Sequence, residues 1–321
     1  MRSLALLALS MNLAVAGAAV ERQAAPVLWR DPGPIASRDV FWGAASADRQ
    51  PVPPFRFVKE DTSGSKPKLQ VIDARGTTWR VKLGGPEPGK NEVHPEVAAS
   101  RLMWALGYLV EEHYYVASGR IEGIKDLDRA SAAINADGSF RVARFERRAP
   151  NVERSGRTWT LDDNPFAGSK ELSGLKLMTA LVNNWDNKHF NTAVDVVTLP
   201  DGRVEEHYLF SDLGASFGRM AGPPWTTSPT RWKVDDYRAQ PLVKGVEGDS
   251  VRLHFEGQVP MESVPLAHAQ WFVSLASQLT QDQVRAAFKA AGASEAEVEG
   301  FSARFLEKVR ELQSAIEISR R

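Results

Sequence analysis

Between Phe55 and Leu83 the chain alternates apolar and polar residues in short runs: Phe55-Arg56-Phe57-Val58, Leu69-Gln70-Val71-Ile72 and Trp79-Arg80-Val81-Lys82-Leu83. A period of two buries one side of a strand and turns the other outward. Thr62-Ser63-Gly64-Ser65 and Ala74-Arg75-Gly76 separate the runs as turns, so the segment predicts a three-stranded antiparallel meander. A Gly/Pro-rich connection, Gly84 to Gly89, follows, and His94-Pro95-Glu96 opens a helix to about Gly107, with Pro95 suited to a first turn. Strands at Tyr114 to Ser118 and Phe140 to Phe145 complete a small sheet with one packed helix.

The period then changes. From Lys170 to Asn184, leucines at 172, 175, 177 and 181 with Met178 and Val182 form a helical stripe. Ala193 to Leu199, the turn Pro200-Asp201-Gly202 and His207 to Phe210 read as a hairpin ending at Ser211-Asp212-Leu213-Gly214. Helices follow at Leu266 to Leu279, after Thr280, and behind the cap Ser294-Glu295-Ala296-Glu297. Strands first and helices later indicate an α+β molecule of two lobes. Residues 55–150 are expected to form the smaller lobe and 151–321 the mainly helical one, with 20–54 an irregular arm against the body.

With 321 residues, 43% hydrophobic and 25% charged, the chain can bury a substantial core. Forty basic residues balance forty acidic ones, so no global field gathers nucleic acid. The absence of cysteine excludes disulfides, thiolate metal sites and cysteine nucleophiles. Met1-Arg2-Ser3, the apolar run Leu4 to Ala16 and Gly17-Ala18-Ala19 have the three-part pattern of a secretory signal peptide over residues 1–19. No later stretch is long and uncharged enough to span a bilayer. A bacterial periplasmic or extracellular location is therefore expected, and the oligomeric state stays open.

Phosphoryl transfer from ATP needs positive charge on the phosphates, metal ligands and a carboxylate beside the attacking hydroxyl. Asp186-Asn187-Lys188-His189-Phe190-Asn191 leaves a helix as one short loop carrying an Asp, a Lys and an Asn. Asp212-Leu213-Gly214 puts a carboxylate at a strand end, where it can bind Mg²⁺. Lys82 on the third strand and Glu96 on the next helix can pair and hold the ammonium toward phosphates.

In this order the residues resemble the protein-kinase-like superfamily over roughly residues 55 to 220. The likeness is to its atypical branches: HipA-type kinases, phosphatidylinositol 4-kinase-type kinases and secreted Golgi casein-kinase-type kinases. Asn184-Trp185-Asp186 and Asp212-Leu213-Gly214 stand where eukaryotic protein kinases carry His-Arg-Asp and Asp-Phe-Gly. The resemblance implies a two-lobed fold with a small antiparallel sheet and one helix in the first lobe. It makes Lys82 the α/β-phosphate ligand, Glu96 its ion-pair partner and Asp186 the base or substrate-orienting carboxylate. Lys188 would neutralise the transferred group, Asn191 and Asp212 would hold Mg²⁺ or Mn²⁺, and Ser63, Gly64 and Ser65 would cover the nucleotide. Gly222-Pro223-Pro224-Trp225 replaces the Ala-Pro-Glu ending of the activation segment, which favours lipid, small-molecule or unconventional protein hydroxyls as acceptors. A catalytically inactive regulatory module and a nucleotidyl (AMP) transferase on the same fold remain as alternatives.

Gly84-Gly85-Pro86-Glu87-Pro88-Gly89-Lys90-Asn91 nearly matches a P-loop, but its prolines remove phosphate-cradling N–H groups and Asn91 replaces the metal-binding hydroxyl. The histidines lack a zinc-hydrolase spacing. Trp185, Phe190 and Phe210 read as core packing behind the loop.

Overall fold

The structure, a computed structural model, describes residues 24–63, 66–85, 91–220 and 228–320. The proposed leader 1–19, Gly64, Ser65, Gly222-Pro223-Pro224-Trp225 and most of the near P-loop lie outside those residues.

The arm contributes β1 (Ala25–Val27), which pairs in parallel with a distant strand, and then packs Leu28, Ile35 and Val40 into the core. The meander forms as β2 (Phe55–Glu60), β3 (Lys68–Ile72) and β4 (Thr78–Leu83). Helix α1 (Val93–Ala105) follows, then β5 (Glu112–Glu122) and β6 (Ser139–Arg147). Where an antiparallel sheet was expected, these strands close into a barrel of order β2-β3-β4-β6-β5. Closure comes from a parallel pairing of β2 with β5, at Phe55 with Ile121 and Arg56 with Glu122. It removes two exposed sheet edges. The alternation explains the filling: Leu69, Val71, Trp79, Val81 and Phe145 point inward, and Trp79 meets Tyr114 and Phe145 edge-on.

Opposite side chains in a ladder share a face, so the register writes two charged rows across the barrel's outside. One row is Lys68, Lys82 and Arg144; the next is Gln70, Arg80 and Glu146. Helix α1 presents Glu96 toward this face and sinks Val97, Ala98, Leu102 and Met103 into a second, larger core.

That core gathers the rest of the chain. Short β7 (Val152–Arg154) precedes α2 (Lys170–Leu181), which Ser169 caps, followed by the hairpin β8 (Thr192–Thr198) and β9 (Val204–Phe210). The order β1-β9-β8-β7 makes a four-stranded sheet. A short helix α3 (Val234–Arg238) leads into a second sheet of β10 (Val243–Glu247), β11 (Ser250–Leu253) and β12 (Ser263–Pro265). The chain ends in α4 (Leu266–Ala276), α5 (Gln281–Ala290) and α6 (Glu295–Ile318). Capping boxes at Thr280/Gln283 and Ser294/Glu297 satisfy the first N–H groups of the last two. The sequence reading anticipated the β8–β9 hairpin but neither the flanking strands β1 and β7 nor the β10–β12 sheet. Those strands of three to five residues carry little local pattern, and β1 is held by a pairing far along the chain.

Candidate active site

Alternation along β4 sends Val81 inward and Lys82 outward, yet Lys82 is only 6% exposed because α1 and the β9 exit cover it. Its Nζ lies 2.9 Å from Glu96 Oε2, 3.6 Å from Asp212 Oδ1 and 3.5 Å from Glu92 Oε2. A buried ammonium is costly unless carboxylates surround it. Burial alone would lower the Lys82 pKa, but Asp212 and Glu96 outweigh it and raise the value above the ordinary lysine range. Burial pushes the Glu96 carboxyl up, against the pull of Arg144 and Lys82. Asp212 is held below its usual value: burial opposes ionisation, and the Lys82 ammonium with the Gly214 N–H prevails.

The other side of the cleft follows from the exit of α2. Asn183 adopts a left-handed conformation and Asn184 N–H closes on Thr179 O at 2.9 Å, so the helix stops. Asn187, buried, exchanges hydrogen bonds of 2.9 Å in both directions with the backbone of Val259 and fixes the loop. Asp186 thus faces the cleft, with Lys188 Nζ 2.9 Å from its Oδ1. The hairpin register pairs Thr192 with Phe210, so Asn191 falls beside Ser211 and Asp212, whose N–H groups reach Asn191 O at 2.9 and 3.3 Å. A hairpin turn at Pro200-Asp201-Gly202 therefore brings two residues distant in sequence side by side.

A cavity of about 400 Å³ joins both sides; Lys82, Asp186, Lys188, Asn191 and Asp212 line it, with Glu96 directly behind Lys82. Ser63 lies in a neighbouring cavity, and Gly64 and Ser65 fall outside the described residues. Phe190 corrects the sequence reading: it is 70% exposed and lines the cleft, whereas Trp185 and Phe210 are buried as expected. Its helical turn, His189–Asn191, is too short to bury every side chain it carries.

The sequence reading passed over several groups. Glu92 lies one helical turn before Glu96, so i,i+4 spacing puts it on the same side, where it meets Lys66 at 2.8 Å and Arg231 at 3.1 Å. Arg144 pairs with Glu96 and, at 2.8 Å, with Glu146; both were legible as outward positions of an alternating strand. Glu111 pairs with Arg154 and lies 3.3 Å from His113. Burial raises the Glu111 carboxyl, but His113 and Arg154 pull it far below the usual range.

The donor set fits a hard divalent cation of the Mg²⁺ or Mn²⁺ kind. Asp212 offers a carboxylate, and Asn191 commits its amide nitrogen to Asp186 O at 2.5 Å, which leaves the amide oxygen as a ligand. Asp186 Oδ1 is buried and takes no hydrogen bond, only the Lys188 ion pair. A second cluster, Glu111, His113 and Glu146, brings three ligand-type atoms within 4.8 Å of one another. Its carboxylates are already matched by Arg154, Arg144 and Arg148.

The architecture is mixed α/β, and the solved structures it resembles include kinases. One is the Helicobacter pylori proinflammatory kinase CtkA, at 12% identity and TM-score 0.45, covering 84% of this chain and 96% of that one. Another is the Golgi casein kinase, at 10% identity and TM-score 0.41, covering 86% of this chain and 78% of that one. The Golgi casein kinase with Mn/ADP bound gives 10% identity, TM-score 0.40 and coverages of 84% and 77%. No protein-family model matches the chain, and no curated protein matches it.

Proposed function

We propose that this chain is an exported, ATP-dependent phosphotransferase with a two-lobed protein-kinase-like fold. Residues 55–150 form the first lobe, 151–321 the second, and 1–19 the export signal. One observation carries the reading. An ion-paired lysine from the barrel and the Asp186, Lys188, Asn191 and Asp212 group from the other side line a single cavity, with Lys82 and Asp212 only 3.6 Å apart.

In this reading Glu96 and Arg144 fix the position of Lys82, and Lys82 binds the α- and β-phosphates of ATP. Asp186 accepts the proton of an acceptor hydroxyl while that oxygen bonds to the terminal phosphorus and the bridging P–O bond breaks, releasing ADP. Lys188 neutralises the transferred group. Mg²⁺ or Mn²⁺ held by Asn191 and Asp212 supplies charge neutralisation when bound. The acceptor is a hydroxyl on a protein, lipid or small molecule.

Incubation of the mature protein with γ-labelled and, separately, α-labelled ATP and divalent metal tests this. Label from the γ position, lost in Asp212→Ala, is expected. Label from the α position alone would make the protein a nucleotidyl transferase, and absence of ATP binding by calorimetry would remove the enzyme reading.

A further inference from the structure

Beside the cleft a larger cavity, about 590 Å³, opens beneath β2, β3, β4 and β6. The two cavities share Lys68, Arg80 and Arg144 as walls, so an extended ligand can run from one into the other. Asp186, Lys188 and Asp212 line only the smaller one, and Lys59, Ser63 and Arg148 only the larger. Along β4, Lys82 and Arg80 stand on the same face about 6.6 Å apart, two strand residues. A donor whose terminal phosphate meets Asp186 and whose inner phosphates meet Lys82 therefore continues past Arg80 into the larger cavity.

The walls there are unlike those that hold a bare nucleoside. Small-molecule pockets that take flat rings are mostly apolar or aromatic. Among the described residues the lining has no aromatic ring, and its two large apolar members, Leu69 and Val81, are each 1% exposed because they face the barrel interior. Lys59, Lys68, Arg80, Arg144 and Arg148 contribute five cations against three carboxylates, Glu60 and Asp61 in the lining and Glu146, which meets Arg80, Arg144 and Arg148 at 3.7, 2.8 and 3.1 Å. Glu60 is already engaged, accepting the N–H groups of Asp128 and Ala130 at 2.7 Å. Asp61 faces Arg80 at 3.4 Å and Lys68 at 3.9 Å. The hydroxyl of Ser63 accepts from Lys68 Nζ at 3.2 Å and donates to Asp61 Oδ1 at 2.5 Å, so the lysine is the group there that can meet an anion. Arginine and lysine together are the side chains that suit phosphate oxygens.

We propose that this cavity is a phosphate subsite for the end of the donor remote from the transferred group, a proposal that rests on the phosphotransferase reading. The preferred donor then carries phosphate beyond the triphosphate of ATP. That phosphate comes either from a ribose phosphate on the nucleotide or from a chain of inorganic polyphosphate.

Calorimetry on the full mature protein with Mg²⁺ compares ATP, ATP bearing a 3′-phosphate, and medium-chain inorganic polyphosphate. At least one of the last two is expected to bind about tenfold tighter than ATP, the gain of one charged hydrogen-bonded contact. The tighter of the two identifies the source. Lys59→Ala and Arg148→Ala are each expected to cost the extra-phosphate ligand about tenfold and ATP less than about twofold. Because Arg148 also meets Glu146 at 3.1 Å, Arg148→Lys serves as the folded control and retains most of the affinity. ATP binding as tightly as both other ligands, with neither variant changing any affinity, overturns the subsite. Extra-phosphate binding that depends on Lys59 and Arg148, without any Asp212-dependent transfer of label, leaves the subsite standing and removes the phosphotransferase reading instead.

Discussion

Lys82, Glu96 and Arg144 form a buried chain of alternating charge in which each member answers for its neighbour's desolvation. Glu96→Gln keeps the shape and removes the central negative charge, leaving two buried cations short of a partner. A loss near the lower end of roughly 3–5 kcal/mol is expected in urea unfolding, since Glu146, Asp212 and Glu92 remain nearby. A change below about 1 kcal/mol would show that these charges are not desolvated as described. Phe190 behaves differently because it is exposed on the proposed catalytic loop. Phe190→Ala is expected to shift stability by less than about 0.5 kcal/mol. ATP affinity should hold while transfer to an apolar or aromatic hydroxyl acceptor falls; unchanged transfer across an acceptor panel would remove Phe190 from acceptor binding. Residue identities at Lys82, Glu96, Asp186, Asn191 and Asp212 could be singled out in the sequence because their order and element types were visible. Arg144 and Glu92 escaped notice because their importance comes from what lies across space.

Helix α6 buries Lys308 completely, its Nζ 4.2 Å from the centre of the Tyr237 ring and without a hydrogen bond. Burial, with Arg304 adding repulsion, pushes its pKa down to about 7. The unfolded chain, with a lysine near about 10.4, binds more protons between those two values. Stability attributable to this residue therefore rises from about pH 7 to about pH 10, and its full cost applies below pH 7. Lys308→Met is expected to raise the thermal midpoint most near about pH 6 and to flatten the rise toward alkaline pH. A variant whose stability parallels the parent at every pH would rule out this burden. At the same scale, helices α1, α2, α4, α5 and α6 were legible from stripes and caps, and β2 to β6 from alternation. The short strands β1, β7 and β10 to β12 were not, since three to five residues hold too little pattern to signal a strand without knowing its partner.

The barrel and the larger core meet at the cleft, and the proposed ligand sits on both, so binding should couple them. Mg²⁺–ATP at about 100 times its dissociation constant is expected to add about 2.7 kcal/mol to stability, with chelation of the metal or Asp212→Ala reducing the gain. Hydrogen exchange should slow together in β4 and in the β8–β9 hairpin; protection confined to one of them would separate the two halves of the proposed site. Among the described residues no helix is long and apolar enough to cross a membrane.

By itself the sequence determined which residues alternate and which form stripes, and hence which side chains within a strand or helix share a face. Local periodicity is a property of neighbours along the chain, and it survives without a fold. Only the tertiary structure decided that β2 meets β5 to close a barrel, that α1 sinks into the larger core while its Glu96 reaches Lys82 on the barrel, and that Lys82 comes within 3.6 Å of Asp212. Those outcomes depend on contacts between residues separated by tens to more than a hundred positions, where strand pairing, apolar burial and the matching of buried charges, rather than any local preference, select the arrangement.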